Sequence, residues 1–280
     1  MKIKFYGVRG SCPAPGKDTV KYGGNTACVK VTSDDGRMLI LDAGTGIRQL
    51  GQEIKHIEKD IHILLTHNHW DHIQGFPFFI PAYLRDHIIN IYPGTTDTKH
   101  DTAVLEQMSK TFFPVHYKHL NAEIIIHNRH KAKFKVNGFR IQRFALNHPG
   151  GGSGYIIEAD KQRLAYITDN ELNTPGKVRN SISSWTKILN RVDLLIHDAQ
   201  FTPHDMPLKS GWGHTIAEEA VALAKAAKVK QLALYSHDPE RSHNEIDTII
   251  EEFKRLALPF PITAAMEGQS MDVALAGSTP

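Results

Sequence analysis

The sequence predicts an α/β protein of layered architecture, with strands gathered into sheets inside and helices outside. Three observations carry that expectation. Short apolar runs rich in β-branched and aromatic residues recur along the chain, bounded by turn residues. They alternate with a few segments of helical character. Finally, 41% of the 280 residues are hydrophobic, enough to bury a large core.

Taken in order, the first strand is expected at 2–7, where KIKFYG alternates polar and apolar side chains. ACVKVT (27–32), RMLIL (37–41) and IHILL (61–65) follow, and weaker runs lie at 88–92 and 123–127. Further strands are expected at 139–146, 154–159, 163–168, 193–197, 232–236 and 262–265. Helices are fewer. Thr215 with Glu218 reads as a capping box before a helix at 216–228, and Ser242 with Glu245 as another before 243–256. Weaker helices are expected at 45–56 and 72–85, which Gly51, Pro77 and Pro81 interrupt. No long linker or low-complexity tract divides the chain, so one domain over residues 1–280 is expected.

Composition excludes some function classes. A formal net charge of +3 gives no case for a polyanion-binding protein. Cys12 and Cys28 are too few for a disulfide framework in a chain this long and read as reduced thiols. MKIKFYGVRG lacks the apolar run of a signal peptide, and no stretch approaches the ~20 apolar residues of a membrane span. A cytoplasmic protein without membrane partners is expected. Histidine stands out, at 17 residues.

Polar residues recur just past the ends of apolar strands. Asp42 follows RMLIL, His67 follows IHILL, His148 follows FRIQRFAL and Asp169 ends RLAYIT. Asp198 follows DLLIH, and His237 follows LALYS. In sheet-based α/β folds ligands bind at the carboxyl ends of strands, so these residues could converge. The densest segment is Thr66-His67-Asn68-His69-Trp70-Asp71-His72. Imidazole nitrogens and a carboxylate suit zinc, manganese or iron. One tetrahedral ion cannot easily use four side chains from so short a loop, but two adjacent ions can.

THNHWDH resembles the H-x-H-x-D-H signature of the metallo-β-lactamase superfamily. LNHPG, YITDNE and YSHDP resemble its later motifs in order, and LILDAGTG its early aspartate. The resemblance implies an αββα four-layer sandwich, two mixed β-sheets flanked by helices. It implies that His67, His69 and His148 hold one divalent metal and that Asp71, His72 and His237 hold a second. Asp169 would bridge the two, with Asp42 orienting a ligand histidine. Zinc is the default ion and manganese the next. Asn68 stands where redox branches of the superfamily carry a glutamate, which argues against a di-iron oxidase.

Two close metals would make hydroxide available near neutral pH and neutralise phosphate charge. Gly211-Trp212-Gly213-His214-Thr215 resembles the G-H-S/T motif of the transfer-RNA 3′-processing and phosphodiesterase branch. The resemblance makes His214 an aid at the phosphate or the leaving group, catalytic alongside Asp71. Asp198, in His197-Asp198-Ala199-Gln200, would support His214 or a ligand. Asn25 and Thr26, in YGGNT, are candidate contacts to a substrate phosphate or sugar. The apolar run 76–83 could wall the pocket, form core or supply a homodimer contact.

The expected activity is hydrolysis of a small phosphodiester, such as a cyclic nucleotide or cyclic ribose phosphate. The alternatives are a transfer-RNA 3′ endonuclease and a non-enzymatic metal or nucleotide sensor. The nuclease reading is disfavoured by the near-neutral charge. It also lacks room for an RNA-gripping arm, since His148 and Asp169 are only 21 positions apart.

Overall fold

A computed structural model of the chain describes residues 1–57, 60–94, 100–127 and 131–273. Fourteen strands alternate with six α-helices and several short 3-10 turns among these residues. The strands are β1 (Lys2–Gly7), β2 (Cys28–Thr32), β3 (Met38–Leu41), β4 (Asp60–Leu64), β5 (Ile88–Tyr92), β6 (Glu123–Ile126) and β7 (Lys133–Val136). They continue as β8 (Phe139–Ala145), β9 (Ser153–Ala159), β10 (Gln162–Ile167), β11 (Leu194–Asp198), β12 (Leu232–Tyr235), β13 (Ile262–Ala264) and β14 (Ser270–Asp272).

They form two seven-stranded sheets, ordered β14-β1-β2-β3-β4-β5-β6 and β13-β12-β11-β10-β9-β8-β7. Both are mixed. β3 to β6 run parallel in the first sheet, and β10 to β13 in the second. The remaining pairs are antiparallel.

Side-chain alternation explains the layering. Ile3, Phe5, Val29, Val31 and Leu41 of the first sheet share one core with Ile157, Leu164, Leu194 and Ile196 of the second. The opposite faces carry separate cores. Cys28, Ile40, Ile61 and Ile63 pack under α1 (Ile47–Ile54) and the short turns of residues 76–83. Ile156, Ala165 and Leu195 pack under α4 (Ile182–Ile188), α5 (Ala217–Ala226) and α6 (His243–Arg255). The result is the helix–sheet–sheet–helix sandwich that the resemblance implies.

Several expectations need correction. The weak helix at 72–85 is one turn, α2 (Trp70–Ile73), followed by 3-10 turns Phe76–Phe78 and Ile80–Tyr83, each with a proline near its start. Phe76 and Phe79 are fully buried beneath the first sheet, so that run is mainly core; Phe78 is exposed, its ring set edge-on to Phe113. The capping box at Ser242 and Glu245 forms. The one at Thr215 does not: α5 starts from Ile216 with no side-chain cap. The Thr215 hydroxyl instead donates to the Asn170 carbonyl and accepts the N–H of Leu172. Among the described residues no helix is long and apolar enough to cross a membrane.

Candidate metal centre

Five of the six expected strand ends converge, and that of His237 does not. β4 delivers the loop Thr66–His72, while β8 leads to His148, β10 to Asp169 and β11 to Asp198. His67, His69, His148 and Asp169 each offer a ligand atom, all within 4.8 Å of one another. Asp71, His72 and Asp169 form a second such group, and Asp169, Asp198 and His214 a third. Asp169 belongs to all three. Its φ of 50° and the 59° of Asp42 are left-handed turns at strand ends, a costly backbone state for a non-glycine residue and one that clusters at functional sites.

The ring orientations are fixed from behind. His72 Nδ1 donates to Asp42 Oδ2 at 2.9 Å, which leaves Nε2 aimed at Asp169 (3.2 Å) and Asp71 (3.3 Å). Asp42 also accepts the Thr66 N–H at 2.7 Å and the Tyr166 hydroxyl at 2.9 Å. Its carboxylate therefore ties the two sheets together beneath the ligands. His148 Nδ1 donates to the Gly213 carbonyl at 3.1 Å, turning Nε2 toward His69 Nδ1 at 2.9 Å. A Cβ on Gly213 would lie 2.0 Å from His148 Nδ1, so only glycine permits that approach.

A divalent metal fits these donors on two counts. His67 Nε2 and His72 Nε2 are buried without any hydrogen-bond partner, an expensive arrangement unless something else occupies them. Second, burial holds His67, His69 and His148 below the usual histidine range, which favours the neutral imidazole a metal needs; at His72 burial is outweighed by Asp169, Asp71 and Asp42, which raise it. Burial opposes charge on Asp169 too, but His72 and its neighbours outweigh it and hold the carboxyl well below its usual range.

His214 lies beside this cluster. Its Nδ1 donates to Asp198 Oδ2 at 2.6 Å, and the pair is buried. Burial alone would lower the His214 pKa, but Asp198 and then Asp169 outweigh it and raise it to about 9. The charged form of His214 is thus favoured beside the candidate ligand cluster. Asp198 supports His214, the first of the two roles expected for it.

Three expected residues make other contacts. His237 Nε2 donates to the Ala265 carbonyl at 2.9 Å, and its ring meets Tyr22 edge-on. It shares no ligand group with Asp71 and His72. Its backbone explains this: the N–H donates to Val8 and the carbonyl accepts from Gly10, so the side chain faces away. Asn25 donates its side-chain amide to Glu267 at 2.9 Å. Thr26 is buried, its hydroxyl accepting the Thr45 N–H at 2.9 Å. Through Thr26, YGGNT packs against the N-terminal end of α1. The RGS turn does reach the site, since the Ser11 N–H donates to Asp71 Oδ2 at 2.8 Å.

The sequence reading missed Glu171. Its buried carboxylate accepts the N–H groups of Gly211 (2.7 Å) and Gly213 (3.1 Å), setting the loop that positions both His148 and His214. Its place two residues after Asp169, in YITDNE, was the available signal.

Residues 37–237 match the family described as a Beta-lactamase superfamily domain. A ribonuclease Z of Staphylococcus carnosus strain TM300 is 23% identical, the match spanning 91% of this chain and 94% of that one. The metallo-beta-lactamase fold protein YhfI of Bacillus subtilis superposes with a TM-score of 0.70 at 17% identity, covering 96% of this chain and 98% of that one. A diphosphatase from the PhnP family gives 0.68 at 21% identity, covering 97% of each chain. With its His/Asp cluster at the ends of strands from both sheets, the chain belongs to the beta-lactamase superfamily and is a metal-binding hydrolase of that fold.

Proposed function

We propose that the chain is a metal-dependent phosphodiesterase that hydrolyses a small phosphodiester, such as a cyclic nucleotide or cyclic ribose phosphate. The observation that carries this reading is the buried His214–Asp198 pair set against the ligand cluster through Asp169. A cation fixed there suits an ester whose departing alkoxide needs a proton and whose phosphate oxygens need positive charge.

Two divalent ions, zinc or manganese, would acidify a water and neutralise phosphate charge. His67, His69 and His148 would hold the first. Asp71 and His72 would hold the second, and Asp169 would touch both. Asp42 keeps the His72 ring aimed, and Asp198 keeps His214 charged and oriented. Ser11 and Gln200 brace Asp71, the first directly and the second through the Ser11 hydroxyl. The similarity to a ribonuclease Z and the fold shared with a diphosphatase agree with phosphoester chemistry.

The same similarity favours a second reading, action on an RNA 3′ end. Near-neutral charge is therefore not a reason to set nucleic acid aside. Against this reading, β9 and β10 occupy residues 153–167, leaving only short turns between His148 and Asp169 for an RNA-gripping arm. Metal-loaded protein should hydrolyse bis(p-nitrophenyl) phosphate and at least one cyclic ribose or nucleotide phosphodiester. Cleavage of precursor transfer RNA with no turnover of cyclic esters would move the assignment to the second reading. No turnover of any phosphodiester with any divalent ion would end both.

A further inference from the structure

Asp169 stands between two unequal sets of donors. His67 Nε2 lies 3.6 Å and His148 Nε2 3.9 Å from its Oδ2. His69 completes that set, which offers three imidazoles and one carboxylate. His72 Nε2 lies 3.2 Å from the other oxygen, Oδ1, and 3.3 Å from Asp71 Oδ2. The second set therefore offers one imidazole and two carboxylates, and no other His, Cys, Asp or Glu among the described residues joins it. The group of Asp198 and His214 shares only Asp169 with it.

The carboxylates of the second set are also partly engaged already. Thr168 donates its hydroxyl to Asp169 Oδ1 at 2.7 Å, and the Ser11 N–H donates to Asp71 Oδ2 at 2.8 Å. β12 contributes a hydroxyl here rather than an imidazole. It is followed by Ser236, in a left-handed turn (φ 57°) like those of Asp42 and Asp169. Ser236 Oγ lies 2.6 Å from Thr168 Oγ1, so it backs the Thr168 bond to Asp169. His237, one residue on, is spent on the Ala265 carbonyl.

Donor chemistry separates two such positions. Imidazole nitrogen suits zinc, whereas carboxylate and water oxygens suit manganese. Four protein donors close a tetrahedral zinc shell, and three leave a place that water or substrate must fill. We infer that the two metal positions are not equivalent: His67, His69, His148 and Asp169 form a tight zinc site, and Asp71, His72 and Asp169 form a weaker site that accepts manganese. This rests on the two-ion reading above and deepens it. With zinc scarce and manganese ample, the resting centre is a mixed one.

Two measurements on metal-free full-length protein test this. Zinc titrated in competition with a chromogenic chelator should bind in two steps whose Kd values differ by at least about tenfold. Native mass spectrometry after one equivalent of zinc and an excess of manganese should show mainly chains with one zinc and one manganese. Asp71→Asn should lose the manganese and the weak zinc step, and keep the tight step within about threefold. Two zinc steps of equal Kd would overturn the inequivalence, and the wild-type titration decides this without the variant. So would a mixture of two-zinc and two-manganese chains at that loading, or an Asp71→Asn protein that keeps manganese and loses the tight zinc. A single bound ion at every metal excess would instead overturn the two-ion reading itself.

Discussion

Replacing Asp198 with asparagine removes the carboxylate that keeps His214 charged while sparing its shape. His214 has a pKa of about 9 in place of an ordinary 6.5. The difference is roughly 3 kcal/mol in favour of the imidazolium. At pH 7.5 the imidazolium form of His214 therefore predominates. Burial is the largest influence on His214 and acts in the opposite direction. Without Asp198 only Asp169 and Asp71 still oppose burial, so the imidazole should titrate below its native value of about 9 and a larger share of it should be neutral at pH 7.5.

If His214 donates a proton to the departing oxygen, the loss must depend on how much that oxygen needs one. General acid catalysis is worth about 10²- to 10⁴-fold. Asp198→Asn should lower kcat by about 10²-fold or more on a sugar-alkoxide ester at pH 7.5. It should lower kcat by less than about tenfold on bis(p-nitrophenyl) phosphate, whose leaving group is stable unprotonated. The high-pH arm of the kcat profile on the sugar ester should also move down. Equal losses on both substrates, with an unmoved pH profile, would refute the acid role and leave His214 a phosphate contact only.

Asp42→Asn should weaken metal affinity by about 10- to 100-fold, because the His72 ring loses its anionic anchor; competition with a chromogenic chelator measures this. Gly213→Ala places a Cβ 2.0 Å from His148 Nδ1 at a φ of 93°. It should cost about 1–3 kcal/mol in denaturant unfolding and disturb the first metal position. His237→Asn should leave two metal ions per chain by elemental analysis, since His237 bonds Ala265 rather than the cluster; a fall to one ion would restore it as a ligand. The same variant should flatten acid lability. Burial, only partly offset by the Ala265 carbonyl, lowers His237 to about 4. A folded pKa below the unfolded value stabilises the protein above about pH 6.5. That stability is lost as pH falls from there through 4, up to about 3 kcal/mol, readable by urea unfolding at pH 7.5 and 5.

The parts legible in the sequence are those fixed by short-range chemistry. An apolar strand followed directly by His or Asp is a local pattern, and it located His67, His148, Asp169 and Asp198. Edge strands were harder. KFKV of β7 and SMD of β14 carry too little apolar signal, and each exists because a neighbouring strand offers a ladder. Side-chain direction was hardest. Asn25 faces Glu267, 242 positions away, and His237 faces Ala265, so neither orientation could be read from its own neighbourhood. Thr215 failed as a cap for a similar reason, since Asn170 supplied a better partner from β10's far end.

Asp42 and the ligand loop belong to one sheet, whereas His148 and Asp169 belong to the other. An ion held by both would thus staple the sandwich as well as serve as a reagent. Each ion bound only by the closed sandwich stabilises it by RT ln(1 + [L]/Kd), about 2.7 kcal/mol at a hundredfold excess over Kd. Without metal, the bonds joining the two sheets at that edge include Asp42 to Tyr166, Ser153 to Thr66, Tyr155 to Leu65 and His148 to His69. That edge becomes the first place for the sheets to part. Metal supply would then set the lifetime of the folded chain as well as its turnover, and amide exchange in β4 and β9 would report the change.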